Sequence, residues 1–96
     1  MSRIFYARAA FADIDRLSDF LLDTDPAAAA ATGGILTRGI AVLAEHPLIG
    51  RPVESGLREL IISRGRSGYV ALFRYDVASD EAIVLAIRHQ REAGVL

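Results

Sequence analysis

The spacing of apolar positions changes several times along the chain, and each change marks an element. Residues 3–7, RIFYA, form a short apolar run suited to a first strand. Ala10, Ile14, Leu17 and Leu21 then recur at spacings of four, three and four. That is one helical face, flanked by Phe11 and Phe20, while Asp13, Asp15, Arg16, Asp19 and Asp23 lie largely off it. The spacing predicts a helix over residues 8–23. Asp25-Pro26 interrupts it: proline disfavours helix at the residue before it, suits the first turn of a new helix, and leaves Asp25 to accept the free N–H groups there. A second helix is expected over residues 26–45, so close behind the first that the two form an antiparallel hairpin.

After His46-Pro47 the pattern becomes a Gly- and Pro-rich loop, LIGRPVESG. Residues 57–64, LRELIISR, alternate as a strand with Leu60 and Ile62 on one face and Glu59 and Ile61 on the other. Gly65-Arg66-Ser67-Gly68 reads as a hairpin turn. Residues 69–76 follow, apolar enough on both faces for a central strand. The last strand, 82–89, is expected to carry Ile83, Leu85, Ile87 and His89 on one face. The order β-α-α-β-β-β predicts an α+β two-layer fold. A helical hairpin packs on an antiparallel sheet built around a three-strand meander, as one domain over residues 1–96.

Composition narrows what this fold can do. The chain has 96 residues, 52% of them apolar and 24% charged, which fits a dense small core rather than a disordered tail. It has no cysteine, which excludes disulfides, thiolate metal sites and a cysteine nucleophile. The two histidines are far apart in sequence, so no metal site is expected. No charged-then-apolar segment opens the chain, so no signal peptide is expected. The formal net charge of −1 argues against a broad nucleic-acid footprint. All cations are arginine. The first half carries four against six acids and the second half seven against six, so anion attraction belongs to the meander half.

The second helix is unusual. PAAAAATGGILT, residues 26–37, carries no charge. Its small residues permit close packing on the first helix and the sheet. The alternative is a bare face that a partner covers. It is too poor in large apolar residues to be expected to span a membrane.

Candidate chemistry clusters on the meander. Glu59, Arg74 and His89 are residue types that supply a base, a phosphorane-stabilising cation and an acid for RNA cleavage. The bland alternative is a solvated Glu59, an Arg74 packed along the sheet and a strand-ending His89. Arg64 and Arg66, on a Gly-rich turn, suit an exposed anion contact. No phosphate-binding glycine loop or Ser/His/Asp arrangement is legible.

Three strings, HPLIGRPV (46–53), LRELIISRGRSGYVALFRYD (57–76) and AIRHQREAG (86–94), together resemble the ParE-type toxins of the RelE/ParE superfamily. The element order agrees over nearly the whole chain. The resemblance implies the toxin of a bacterial, cytoplasmic type II toxin–antitoxin system of the plasmid-stabilising kind. A ParD-like antitoxin would hold it inactive through a helical C-terminal segment. It further implies a non-enzymatic toxin that meets DNA gyrase and blocks replication. No cofactor, membrane or sequence-specific nucleic-acid binding by the toxin alone is implied. Target contacts are then expected at Arg64, Arg66, Arg88, His89 and Arg91. Antitoxin contacts are expected along the two helices at Ile14, Leu17, Leu21, Ala30, Ile35 and Leu36. The RelE-like branch instead cuts messenger RNA on the ribosome and is strongly basic, as a polyanionic target requires. A lysine-free chain of net charge −1 favours the gyrase-directed branch. Glu59, Arg74 and His89 are the residues of the ribonuclease alternative.

Overall fold

The computed structural model describes residues 1–62 and 68–90. Strand β1 (Arg3–Tyr6) leads into helix α1 (Arg8–Leu22). Helix α2 (Pro26–Ile40) follows, with Pro26 in its first turn and the Asp25 carboxylate accepting the Ala28 N–H at 3.1 Å. The helical stretch expected to reach residue 45 tightens into a 3₁₀ turn at Ala41–Ala44. The chain between 47 and 56 is more ordered than a plain loop. It holds a two-residue strand, β2 (Arg51–Pro52), and a short 3₁₀ turn, Glu54–Gly56. Strands β3 (Arg58–Ile62), β4 (Tyr69–Asp76) and β5 (Glu81–His89) complete the chain.

The sheet order is β1-β5-β4-β3-β2. The meander is antiparallel as expected, but β1 joins β5 in parallel, so the sheet is mixed. Two helices separate β1 from the meander, and a connection of that length lets β1 return beside the last strand in parallel. The two-sided apolar strand β4 takes the middle position.

One face of the sheet carries the core. Ala10 and Leu17 from α1 and Leu36 and Ile40 from α2 pack on Leu60, Ile62, Tyr69, Ala71, Phe73, Ala82, Val84 and Ile87, with Ile14 and Ile35 against that cluster. Pro26–Ala44 is long and apolar enough to cross a membrane by length and composition. Here its Leu36, Ile40 and Leu43 are fully buried in the core. Gly39 lets α2 press onto β3: a Cβ there would stand 2.5 Å from Ile62 Cγ2. Thr32, buried on the same helix, donates to the Ala28 carbonyl at 2.8 Å and lies 3.4 Å from the Tyr69 hydroxyl.

Strand β5 departs from the simple alternation. Leu72 faces Ala86 but Phe73 faces Val84, so Leu85 is an extra, bulged residue. The bulge reverses the phase of the strand. Ala82 and Val84, then Ile87 and His89, face the helices, while Ile83, Ala86 and Arg88 share the open face. The expected single face of Ile83, Leu85, Ile87 and His89 is therefore split. Sequence alternation could not locate the slip, because residues on both sides of the strand are apolar.

Candidate functional site: the open face of the sheet

The sheet face away from the helices has an apolar centre and an arginine rim. The pairing register places Phe5 and Ile83, Val70 and Leu72, and Ile61 on it, together with Arg51, Glu59, Arg74 and Arg88. Glu59 is the focus of its charge. Its carboxylate accepts a hydrogen bond from Arg51 at 2.6 Å and one from Arg88 at 3.0 Å. The bond from Arg51, reinforced by the charge of Arg88, outweighs desolvation and holds the Glu59 carboxyl below the usual carboxylate range.

A groove opens beside this rim where β5 runs past the end of β1, lined by Asp13, Arg16, Leu72, Ala86 and Arg88 among others. The β5 edge there has lost its neighbouring strand, and α1 substitutes for it. Asp13 accepts the Ile87 N–H at 2.8 Å, and Arg16 donates to the Ile87 carbonyl at 3.2 Å. The side chains of one helical turn thus complete the hydrogen bonding of a strand edge. At the opposite end of β5, Asp80 accepts from Ser2 at 2.5 Å and from Tyr75 at 2.6 Å, fastening the N-terminal strand to the β4–β5 turn. The same two donors lower the Asp80 carboxyl, and the hydrogen bond to Asp80 raises the Tyr75 hydroxyl.

The sequence-based candidates disperse. Glu59 and Arg74 share the open face, but His89 lies on the helix side, 1% exposed. There its ring meets Tyr69 edge-on at 5.2 Å and stands 6.2 Å from Phe20. The expected convergence of Arg74 and His89 on one exposed area does not occur, because the bulge sets the two on opposite sides. The sheet itself therefore separates the presumed base and cation from the presumed acid. Among the expected target contacts, Arg88 is half-buried against Glu59 and His89 is interior. Arg64, Arg66 and Arg91 lie outside the described residues.

The expected antitoxin contacts are mostly interior. Leu17 and Leu36 are fully buried, which removes them as direct contacts of a partner on the folded chain. Ile14 and Ile35 pack against the core and Leu21 is half-buried, so Ala30 alone of the six is exposed. The helical stripe read from the sequence is taken up by the chain's own sheet. Sequence reasoning missed Arg51 as the partner of Glu59, and Asp13 and Arg16 as the closure of the β5 edge. Nothing local marks these: they meet only through the fold. It also passed over Leu48, Ile49 and Ile61, all exposed. For the first two the signal was present, as two large apolar residues between Pro47 and Gly50.

The proteins that this chain resembles include toxins. The family model for the ParE toxin of the type II toxin–antitoxin system parDE matches residues 4–94. Toxin RelE3 of Caulobacter vibrioides is 34% identical over 80 residues, covering 83% of this chain and 85% of its own. Toxin RelE1 of the same organism is 38% identical over 80 residues, covering 83% and 84%. Among solved structures, a chain of the chromosomal ParDE toxin–antitoxin system of P. aeruginosa superposes with a TM-score of 0.77 at 26% identity, covering 93% of this chain and 96% of that one. A chain of the RelBE2 toxin–antitoxin complex of Mycobacterium tuberculosis gives 0.65 at 17% identity, covering 93% and 91%, a likeness of fold alone. With two helices on a five-strand sheet and a family match running from β1 to beyond β5, this chain belongs to the ParE/RelE family of type II toxin–antitoxin toxins.

Proposed function

We propose that this toxin acts by docking on a protein target, DNA gyrase, and that a ParD-like antitoxin neutralises it in the bacterial cytoplasm. The observation that carries the non-enzymatic reading is the position of His89. Acid–base cleavage needs its groups within reach of one substrate atom. Here the imidazole is interior and on the far side of the sheet from Glu59 and Arg74. Glu59 is in turn committed to two arginines, so its carboxylate is a poor base. Gyrase as the target rests on the ParE resemblance. The antitoxin partner is supported by the structural neighbours, which come from toxin–antitoxin systems. The test is DNA supercoiling by purified gyrase with micromolar toxin. Inhibition that the antitoxin relieves is expected; undiminished supercoiling would overturn gyrase as the target.

A second reading, ribosome-dependent cleavage of messenger RNA, is favoured by one observation: the two curated relatives bear the RelE name. It would require Glu59, Arg74 and His89 to come together, and so a rearrangement of β5.

A further inference from the structure

The two end strands of the sheet are not alike. At one end, β2 is Arg51-Pro52, a charge and a proline, both of which blunt an edge against pairing. At the other end, β1 reads Arg-Ile-Phe-Tyr, and its single charge is bridged to Glu81 at 2.8 Å. Two hydrogen bonds fix the direction of its backbone. The Arg3 N–H donates to the Asp80 carbonyl at 3.1 Å and the Ala7 N–H to the Val84 carbonyl at 2.8 Å, so the odd-numbered residues address β5. Ser2, Ile4 and Tyr6 therefore address the outside. The Ser2 N–H is taken by the Ala44 carbonyl at 2.8 Å, but among the described residues no strand or loop meets the backbone of Ile4 or Tyr6.

This free edge is flanked by aromatic rings. Phe5 is 44% exposed on the open face, with the Arg3 guanidinium 5.7 Å from its ring centroid. On the helix side Tyr6 stacks on Phe11 at 5.4 Å, and Phe11 is itself 57% exposed.

We propose that β1 pairs with β1 of a second copy of this chain, antiparallel about a two-fold axis at Phe5. The backbone sets this register. A hydrogen-bonded pair needs both of its residues to address the outside. With the axis at Phe5, Ile4 of each copy faces Tyr6 of the other, and both open residues of each strand are satisfied. An axis at Ile4 would need Ser2, whose N–H is already taken, and an axis at Tyr6 would need Arg8, which is helical. At the Phe5 axis the two rings face each other as a non-hydrogen-bonded pair, the closer kind. Arg3 then faces Ala7, so like charges do not stand opposite each other along the paired strands. Such a contact closes on itself, and association stops at the dimer. The two open faces then lie side by side on one continuous sheet. A strand this short buries less than a standard interface, so the dimer is expected to dissociate at micromolar concentrations or above.

Sedimentation of the purified toxin over a range of concentrations, combined with amide exchange of Ile4 and Tyr6, tests this. A reversible dimer is expected, with both amides gaining protection as concentration rises. Phe5→Lys is expected to weaken self-association about tenfold or more, because like charges then meet at the axis. A mixture of Phe5→Lys and Phe5→Glu chains is expected to associate more tightly than Phe5→Lys alone. The exchange measurement uses the unaltered chain, so it decides the matter even where a variant fails to fold. A toxin that stays monomeric up to about 1 mM overturns the proposal. So does a dimer in which Ile4 and Tyr6 exchange as fast as in the dilute monomer, or protection of these amides only when a different protein is bound. A mixture no tighter than Phe5→Lys alone overturns it too, since the two rings would then not face each other.

Discussion

Glu59 lies between guanidinium groups that reach it from two directions, Arg51 on the neighbouring β2 and Arg88 from β5, beyond β4. Because the folded state holds this carboxyl below its ordinary value, its contribution to stability is fully present above about pH 4.3. The contribution is lost as pH falls through the depressed folded value. Glu59→Gln should therefore flatten the acid limb of a plot of Tm against pH. The limb should not vanish, since Asp80 is depressed as well. An unchanged acid limb would mean that the Glu59 bridges add nothing to folding. Gly39 makes a second residue-scale prediction. In an exposed helix interior, Gly→Ala stabilises by about 1 kcal/mol. Here the new Cβ would collide with Ile62, a β-branched side chain in the core. Gly39→Ala should instead destabilise, by about 1–3 kcal/mol in urea unfolding.

Among the elements, β5 decides most. It has a neighbour on each side and outruns β1, which ends opposite Val84. Asp13 and Arg16 complete the hydrogen bonding of Ile87 beyond that point. Asp13→Ala leaves the Ile87 N–H without its acceptor, at a cost of about 1–3 kcal/mol. Faster exchange of the Ile87 amide, beyond any general loss of stability, would locate the effect at this edge. The elements themselves were largely legible. The α1 stripe, the Asp25-Pro26 boundary and the run of strand β4 follow from period and local chemistry, and the structure repeats them. Three features were not legible, each for a physical reason. The parallel return of β1 depends on where a distant strand lies. The two-residue β2 is too short to carry a period. The bulge at Leu85 interrupts a run that is apolar on both faces. That last feature also misplaced the candidate site, since the face of His89 depends on a one-residue slip.

Among the described residues, the balance of charge differs between the layers. On and beside α1, Asp15, Asp19, Asp23 and Asp25 are exposed and acids outnumber Arg8 and Arg16, whereas Arg51, Arg74 and Arg88 lie on the open sheet face with Glu59, Asp76 and Glu81. This polarity suits directional docking and electrostatic steering toward an acidic surface more than uniform adhesion to a polyanion. His89 is interior, so His89→Ala should lower stability by about 1–3 kcal/mol by emptying the space against Tyr69 and Phe20. On the proposed reading this sheet presents guanidinium groups for recognition, and among the described residues Glu59 and Arg74 are not brought together with His89 to break a phosphodiester. Primer extension along a message translated by purified ribosomes in the presence of the toxin tests it most directly. Extension without toxin-dependent, codon-phased stops is the result this account predicts. Phased stops that disappear with the exposed Arg74 changed to alanine would contradict it.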